Sequence, residues 1–549
     1  MTMTKARSIS PEDLVRYRAD VASLTRTYPL THSPARMDRL RQFYEEWLHR
    51  LDALSPDDVA ALAPEALIDA VLLRLHTRGE LHALDRQAEA DGAASRWVPF
   101  RGRVDDLVER HRRREPVDSQ AAARTLTHLA EEIGQAAAMP DGDADVVDRR
   151  MAAGIVSELA TGLEGWFRFY HGYDPLFTWW VTAPYRDAAA ALQAYSQQLG
   201  HEGDAGRPIV GRPIGRAALL AGLADEVIPY TPEELVDIAW QELAWCEREM
   251  RQASQAMGCG DDWQAALERV KNLYAPPGGQ PAVIDALAAE GVQFAEQHDL
   301  VTIPALAKET WRTAMMSPER QRINPFFLGG EVIRISYPTD TMSYAERMMS
   351  MRGNNPYFSR STVFHELLPG HYLQQYMAAR WRTHRQLFHN PFWVEGLAFY
   401  WEMRYWDLGF NTTPEQRVGM LFWRMHRSAR VIYTIGFHLG QMTPEACVAF
   451  LTDRVGHEPD NARGEVRRLF EGGYGPLYQC AYLIGALQFR ALHREMVAHG
   501  PLTERQFHDE VLQQGRMPIE VLRAVFTGEP LPIRHEARWR FYEDIAPDA

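Results

Sequence analysis

Residues 361–402 read STVFHELLPGHYLQQYMAARWRTHRQLFHNPFWVEGLAFYWE, a stretch that contains His365, Glu366, His371 and Glu395. In the common helical zinc motif, two histidines lie four residues apart and a glutamate follows the first one. Here the second histidine lies six residues after the first. On a regular helix a six-residue step leaves two side chains roughly 120° apart, too far to share one ion. The helix is therefore predicted to be deformed between His365 and His371.

Pro369 and Gly370 explain this predicted deformation. Proline lacks an N–H, and its ring clashes with the carbonyl oxygen four residues earlier, here that of His365. Glycine tolerates almost any backbone conformation. We therefore interpret HELLPGH as HELLH with two inserted residues, a widened turn that returns His371 to the side of His365. Wide turns inside helices are frequent at functional sites.

A third ligand is expected from the downstream segment that begins at Glu395. Positions 395, 398, 399 and 402 recur at helical spacing, so Glu395 and Glu402 share one helix face. One of these carboxylates ligates in this interpretation, and the other supports the ligands. Catalytic zinc takes three protein ligands and keeps one position for water, and two His with one Glu is a known set. We predict one Zn²⁺ on His365, His371 and Glu395, with Glu366 as the general base that deprotonates the water.

Two alternatives stay open for these histidines. A single His-Glu pair on a helix arises often by chance, and the histidines can be hydrogen-bonded core residues. The chain can also be a relative of a metalloprotein that has lost its metal. The joint occurrence of the Pro-Gly insertion, the second histidine and the E-G-x-A-x-Y segment favours metal binding over both.

The chain resembles the bacterial domain-of-unknown-function 885 family in four successive motifs, HELLPGHYLQ, VEGLAFYWE, RSARVIYTIGFHLGQMTPEACVAFL and YQCAYLIG. The segment GRAALLAGLADEVIPYTPEELVDIAWQEL supports this likeness, which runs from about residue 100 to near the C-terminus. The inserted turn is also similar to HELLGH in dipeptidyl peptidase III. The resemblance implies a largely helical, zincin-like fold, similar to that of thermostable metallocarboxypeptidases, and zinc-dependent peptide hydrolysis.

The resemblance implies no particular substrate, because the family is mostly uncharacterised. The chain departs from the family pattern at Tyr372, since a second histidine is common there, and at Leu397, since tryptophan is common there. Neither change removes a predicted ligand. Tyr372 makes the choice of His371 as the ligand less ambiguous.

Composition and charge limit the classes of function. The chain has 549 residues, of which 46% are hydrophobic and 24% charged, as in ordinary globular proteins. Its formal net charge of −14 argues against nonspecific nucleic-acid binding. None of its three lysines stands in a Gly-Lys-Ser/Thr motif, so a nucleotide P-loop is excluded.

The predicted location is the cytoplasm. The N-terminal sequence lacks the apolar core of a signal peptide, and no apolar run is long enough to span a membrane. The sequence therefore predicts no membrane partner. Its four cysteines have no C-x-x-C spacing and are predicted to be reduced structural thiols.

Repeated helix starts predict a mainly α protein. A Ser or Thr cap followed by Pro and an acidic residue occurs at Ser10, Ser55, Thr231, Thr413 and Thr443. Further helices are predicted over residues 119–138, 148–168, 186–199, 231–257 and 282–298. Gly, Pro and Asp cluster in the predicted breaks at 139–144, 199–214, 258–262 and 275–281.

One short stretch predicts a β element. Residues 331–337, EVIRISY, are rich in β-branched side chains and lie between Gly329-Gly330 and Pro338. The family resemblance implies that this strand binds extended substrate beside the metal helix, and a small structural hairpin is the alternative. The predicted architecture is a large helical zincin-like body around a central cleft. Its helical N-terminal half covers residues 1–300 and its catalytic half covers 301–549, packed as one body.

Additional catalytic residues are expected in the last third of the chain. A zinc peptidase needs a donor for the oxyanion beyond the metal, a role that Tyr or His commonly serves. An exopeptidase also needs an arginine that recognises a carboxylate. Tyr482, His438 and Arg430 are the candidates, and a structural role is the alternative for each of them.

The sequence as a whole predicts a zinc metallopeptidase that cleaves a small peptide or peptide-like amide. An exopeptidase or oligopeptidase is favoured, because a large helical body tends to enclose its cleft. The alternative is a catalytically inactive protein of the same fold that binds metal or a partner. The presence of Glu366 favours an enzyme. The sequence predicts neither the oligomeric state nor the side-chain preference.

Overall fold

The computed structural model describes residues 9–139, 146–200, 209–321, 324, 326–470 and 473–546, and it is mainly helical with a small β element. This confirms the prediction of a mainly α protein with a small β element. The zincin-like form and the central cleft stay predictions. None of the helices in these ranges is both long and apolar enough to cross a membrane.

The chain divides into two compact units. The first comprises Met1–Leu62 and Leu73–Val210, and the second comprises Ala63–Leu72 and Gly211–Ala549. The predicted division near residue 300 therefore falls inside the second unit. The helices on either side of that position pack together: the Tyr405 hydroxyl donates to the Gly291 carbonyl at 2.7 Å, and Phe294 contacts Phe410.

Seven helices and the greater part of an eighth form the described portion of the first unit. They are α1 (Pro11–Thr27), α2 (Pro34–Asp52), α3 (Pro56–Ala60), α4 (Pro64–Ala94, which begins in the second unit), α5 (Arg101–Arg112), α6 (Ser119–Ala137), α7 (Val146–Tyr170) and α8 (Pro175–Gly200). Apolar residues at helical spacing on α6, α7 and α8, such as Leu129, Leu159 and Leu192, form its core.

The second unit contains sixteen further described helices and carries the predicted metal ligands. Its helices are α9 (Gly215–Asp225), α10 (Pro232–Ala256), α11 (Trp263–Lys271), α12 (Gln280–Gln297), α13 (Ala305–Thr310), α14 (Pro318–Gln321), α15 (Tyr344–Gly353), α16 (Pro356–Glu366), α17 (His371–Ala378), α18 (Pro391–Asp407), α19 (Pro414–His438), α20 (Pro444–Phe450), α21 (Pro459–Arg467), α22 (Tyr478–His493), α23 (Glu504–Gln514) and α24 (Ile519–Thr527). Every residue of α19 from Val418 to His438 is buried, so this helix is the centre of the unit.

The predicted helix starts are confirmed. At Ser10, Ser55, Thr231, Thr413 and Thr443 the side-chain oxygen accepts a hydrogen bond from a backbone N–H in the first turn. All five predicted long helices are present, and α8 begins at Pro175 rather than at residue 186. The predicted breaks at 258–262 and 275–281 separate helices as expected. Most of the breaks at 139–144 and 199–214 lies outside the described residues.

The predicted strand is present over four residues. β2 (Val332–Ile335) pairs in parallel with β1 (Arg312–Met315), with Arg312 opposite Val332 and Met315 opposite Ile335. These two strands therefore do not form a hairpin with each other, but an antiparallel bridge joins Leu328 to Arg334 of β2, so a structural hairpin stays open as the alternative. β1 escaped prediction because only four residues of it pair and three of them are exposed.

Two glycines bring α18 and α22 unusually close. A Cβ atom on Gly396 would lie 2.6 Å from the backbone of Gly485, and one on Gly485 would lie 2.0 Å from the Phe392 carbonyl oxygen. Neither position therefore admits a side chain. This contact places Glu395 on α18 beside Tyr478 and Tyr482 on α22.

All four cysteines are unpaired, as predicted, and three of them are buried: Cys246, Cys447 and Cys480.

Candidate metal centre

The predicted helix deformation is confirmed between α16 and α17. The Gly370 N–H donates to the Phe364 carbonyl at 3.0 Å, and the Leu373 N–H donates to the Leu367 carbonyl at 3.3 Å. Both bonds span six residues instead of the four of a regular helix. The turn is therefore two residues wider, which equals the length of the Pro-Gly insertion. The peptide bond between Leu368 and Pro369 is cis.

Gly370 is required by a close backbone contact as well as by its backbone conformation. Its φ of −78° is combined with a ψ of −135°, which lies outside the helical and extended regions, as the predicted tolerance of glycine allows. A Cβ atom at this position would lie 1.9 Å from the His365 carbonyl oxygen. Gly370 is needed because the widened turn folds back against the end of α16.

The three predicted ligands face one another. Glu395 Oε2 lies 3.1 Å from His371 Nε2 and 3.5 Å from His365 Nε2. Zinc ligands lie about 2.0–2.1 Å from the ion, so two of them are separated by about 3.3 Å in a tetrahedral site. The two measured separations bracket that value. All three side chains are buried, and their donor set fits a zinc ion.

A second layer of residues orients these ligands. The Nδ1 atom of His365 lies 2.7 Å from Glu402 Oε1, and Nδ1 of His371 lies 3.3 Å from Gln374 Oε1. Each histidine is thus anchored through Nδ1 and presents Nε2 to Glu395. Carboxylate partners of this type fix the tautomer and the ring orientation of metal-binding histidines. Glu402 therefore contacts a predicted ligand, and the ligating role of Glu395 stays a prediction.

Tyr478 holds the remaining oxygen of Glu395. Its hydroxyl donates a short hydrogen bond to Oε1, which leaves Oε2 directed at the two histidines. Burial, with the nearby Glu395 carboxylate, raises the pKa of the Tyr478 hydroxyl far above its usual range. Tyr478 therefore stays protonated and acts as a hydrogen-bond donor.

Glu366 lies at the edge of this cluster. One ligand atom from each of His365, Glu366 and His371 lies within 4.8 Å of the others. Glu366 is only half-buried, whereas His365 is 1% exposed. A Cβ atom on Gly329 would lie 2.2 Å from Glu366 Oε2, and the Gly330 N–H donates to the Glu366 carbonyl at 3.3 Å. The glycine pair before β2 therefore lies directly against the predicted general base.

The charges of the site favour a cation. Burial opposes a positive charge on His371, but the Glu395 carboxylate outweighs it and raises the pKa of His371 to about 9. Burial also opposes the charge on Glu395, whereas His371 and His365 hold its pKa well below the usual range. The position between these side chains is therefore one where a positive charge is stabilised.

The three additional catalytic candidates lie at different distances from the cluster. The Tyr482 ring stacks near His365, with ring centroids 6.1 Å apart and an interplanar angle of 15°. Arg430 lies behind Tyr482, with its guanidinium carbon 4.4 Å from the ring centroid, and pairs with Glu465. His438 packs on Phe437, and its buried ring faces the backbone of Pro476.

Burial lowers the pKa of His438 to about 4, so its imidazole is neutral at pH 7. No described contact joins it to the predicted ligands, and its predicted role stays a prediction. Tyr482 lies directly beside His365, and Arg430 contacts Tyr482. Both residues are therefore close to the predicted metal ligands.

Two residues of this region were not selected from the sequence. Tyr478 stands four residues before the candidate Tyr482, but its contact with Glu395 depends on the close packing of α18 on α22. Arg427 lies 3.7 Å from Glu402 and belongs to the series Arg424, Arg427 and Arg430 on the buried part of α19. Arginines repeated at helical spacing on a buried helix were the available signal.

Comparisons with known proteins identify the family from the sequence and, separately, solved structures of similar fold. No curated protein matches the chain. A structure of a candidate lipoprotein of unknown function from Shewanella oneidensis is 15% identical, with a TM-score of 0.69, and the match covers 95% of this chain and 100% of that one. A candidate lipoprotein from Colwellia psychrerythraea is 16% identical, with a TM-score of 0.51 and coverage of 87% and 78%. The sequence matches the family model described as "Bacterial protein of unknown function (DUF885)" over residues 26–525. Because this match spans most of its length, the chain belongs to the DUF885 family.

Proposed function

We propose that this protein is a zinc-dependent hydrolase of peptide or peptide-like amide bonds. The observation that carries the proposal is the convergence of His365 Nε2, His371 Nε2 and Glu395 Oε2 at separations of 3.1 and 3.5 Å, with Glu366 at the rim. A core role for the histidines alone would not require a glutamate directed at both Nε2 atoms, nor a Gly pair packed against Glu366.

The zincin-like character belongs to the same proposal. Zinc bound by these three side chains would polarise a water molecule and the carbonyl of the scissile bond. Glu366 is half-buried at the rim, so its carboxylate can take a proton from the water and deliver it to the leaving nitrogen. Tyr482 is the proposed hydrogen-bond donor to the oxyanion, because its ring lies beside His365.

The Gly329-Gly330 segment supports a path for the substrate backbone. It connects directly to β2 and contacts Glu366, and no side chain fits between Gly329 and that carboxylate. Glycines allow another backbone to approach closely. We propose that an extended peptide lies along this segment with its scissile bond near Glu366.

The place of action stays a prediction. The sequence favours the cytoplasm, whereas the two similar structures are described as candidate lipoproteins.

The proposal is tested by incubating the zinc-loaded protein with a library of short peptides and identifying products by mass spectrometry. We expect cleavage of short peptides that stops after treatment with a chelator and returns when zinc is added. Cleavage that continues unchanged without metal would contradict the zinc mechanism. A zinc-loaded protein that cleaves no library member would favour an inactive metal-binding or partner-binding protein.

A further inference from the structure

Three arginines gather around the rings of Tyr482 and Tyr478. The guanidinium carbons of Arg427 and Arg430 lie 4.7 and 4.4 Å from the Tyr482 ring centroid. The guanidinium carbon of Arg468 lies 5.9 Å from the Tyr478 ring centroid. Arg427 and Arg430 are 4% and 2% exposed, so both charges are almost fully removed from water.

The carboxylates around these arginines do not match them in number. Glu465 pairs with Arg430 and lies 4.0 Å from Arg468. Glu402 lies 3.7 Å from Arg427, but its Oε1 already accepts from His365 at 2.7 Å. Among the described residues, two carboxylates therefore face three guanidinium groups, and one of the two also contacts a predicted metal ligand.

Two histidines near these arginines, His426 and His457, do not change the charge of the cluster. Burial lowers the pKa of His457 to about 3 and holds the pKa of His426 well below its usual value. Both rings are thus neutral at pH 7. They hydrogen-bond to each other at 2.8 Å rather than to an arginine.

Several guanidinium N–H groups of the cluster have no hydrogen-bond partner within the described ranges, and the same is true of Glu402 Oε2 and Glu465 Oε1. Arg427 makes no hydrogen bond with any residue that the structure describes, and its Nε is buried. The Nε and Nη1 atoms of Arg430 and the Nε atom of Arg468 are also buried without partners in the described part of the chain. Buried polar groups are normally paired, and an unpaired buried charge is strongly unfavourable.

A structural arginine of the same unit shows the contrast. Arg385 is 1% exposed, and it donates to Asp69, to Glu65 and to both the carbonyl and side-chain oxygens of Gln514 at 2.7–2.9 Å. Arg427, by contrast, contacts the rings of Phe399, Trp423 and Tyr482 and has no hydrogen-bond acceptor among the described residues. A ligand that brings acceptors to the cluster would account for this difference.

We propose that Arg427, Arg430 and Arg468 form a carboxylate-binding site for the substrate of the proposed peptidase. A guanidinium group presents a planar fork of donors that matches the two oxygens of a carboxylate. The Tyr482 ring contacts both the arginines and His365, so a carboxylate bound here would belong to the same peptide as the scissile bond. The inference rests on the proposed function, and it assigns the substrate class as peptides with a free carboxylate near the cleaved bond.

The carboxylate can come from the peptide C-terminus or from an acidic side chain, and three matched substrates distinguish the two. One short peptide has a free C-terminus and no acidic residue, the second is its C-terminal amide, and the third is that amide with one neutral residue replaced by Glu. We expect kcat/KM to be at least tenfold higher for one of the carboxylate peptides than for the neutral amide. Equal values for all three would overturn the proposal.

The Arg427→Gln variant tests whether the arginine cluster causes the higher kcat/KM for a carboxylate peptide. We expect this variant to lower, by at least tenfold, the ratio of kcat/KM for the preferred carboxylate peptide to kcat/KM for the neutral amide. A structural effect transmitted through Glu402 and His365 would instead reduce both values equally, which would contradict the proposal. Arg468→Gln provides a second variant at a less buried position. Arg417→Gln, on the same helix with its side chain 38% exposed, is the matched control and should change neither value.

Binding without turnover separates this inference from the proposed function. Calorimetry with zinc-loaded Glu366→Gln should show tighter binding of the carboxylate peptide than of its amide, and Arg427→Gln in that background should remove the difference. If the protein hydrolyses nothing but this difference is present, the peptidase proposal fails and the carboxylate site stands. If peptides are hydrolysed and the difference is absent, the carboxylate site fails alone.

Discussion

Replacing Glu366 by Gln is expected to lower peptide hydrolysis at least about a hundredfold while zinc stays bound, because a general base contributes roughly 10²–10⁴-fold to such a reaction. Glutamine keeps the size and polarity of the side chain beside Gly329 but cannot take a proton from water. The three ligating side chains are unchanged, so the metal content should equal that of the wild type. Turnover of a library-selected peptide and zinc content are measured on the same preparation.

The control for this variant is Glu309→Gln, which makes the same chemical change at an exposed position of α13. Its turnover should match that of the wild type. Wild-type turnover in Glu366→Gln would rule out Glu366 as the base. A variant that has lost its zinc would show that Glu366 is a ligand rather than a base, since its carboxylate also lies near the two histidines.

Replacing Gly370 by Ala should disrupt the metal centre by changing the backbone of the widened turn that holds His371. The added Cβ would meet the His365 carbonyl oxygen at 1.9 Å, so the widened turn has to open and His371 has to move. Disturbing groups that orient metal ligands typically costs about 10–100-fold in metal affinity. We expect a loss of that size in zinc affinity, measured by competition with a chromogenic chelator, together with loss of hydrolysis.

Gly165→Ala is the matched control, because Gly165 lies within helix α7 and no atom of another residue lies within 4 Å of its added Cβ. Alanine in a helix is favoured over glycine by about 1 kcal/mol, so this variant should be at least as stable as the wild type and should bind zinc normally. Unchanged zinc affinity in Gly370→Ala would show that His371 is not held by this turn.

The sequence was most informative where local chemistry determines the structure. Cap residues such as Ser10 and Thr413 mark helix starts because the bond they make is to their own first turn. The Pro-Gly insertion between His365 and His371 predicts the widened turn because its length alone changes the hydrogen-bond spacing. Glu402 follows Glu395 by two helical turns, so its position on the same face was also predictable.

Long-range packing limited the prediction elsewhere. β1 is short and largely exposed, and its parallel partner lies in another segment, so no local pattern indicates it. The contact between Tyr478 and Glu395 depends on Gly396 meeting Gly485 across two helices. The unpaired state of Arg427 is a property of the assembled core, since it depends on which carboxylates reach α19.

The measurement that tests the central claim most directly is the zinc content of the purified protein after dialysis, by mass spectrometry of the metal. We expect one zinc per chain for the wild type and for His298→Ala, an exposed histidine that bonds its own helix. His371→Ala should bind zinc at least about tenfold more weakly, because only two of the usual three protein ligands remain, with the helical circular dichroism unchanged. One tightly bound zinc in His371→Ala, or a wild type that binds none, would contradict the metal centre proposed on His365, His371 and Glu395.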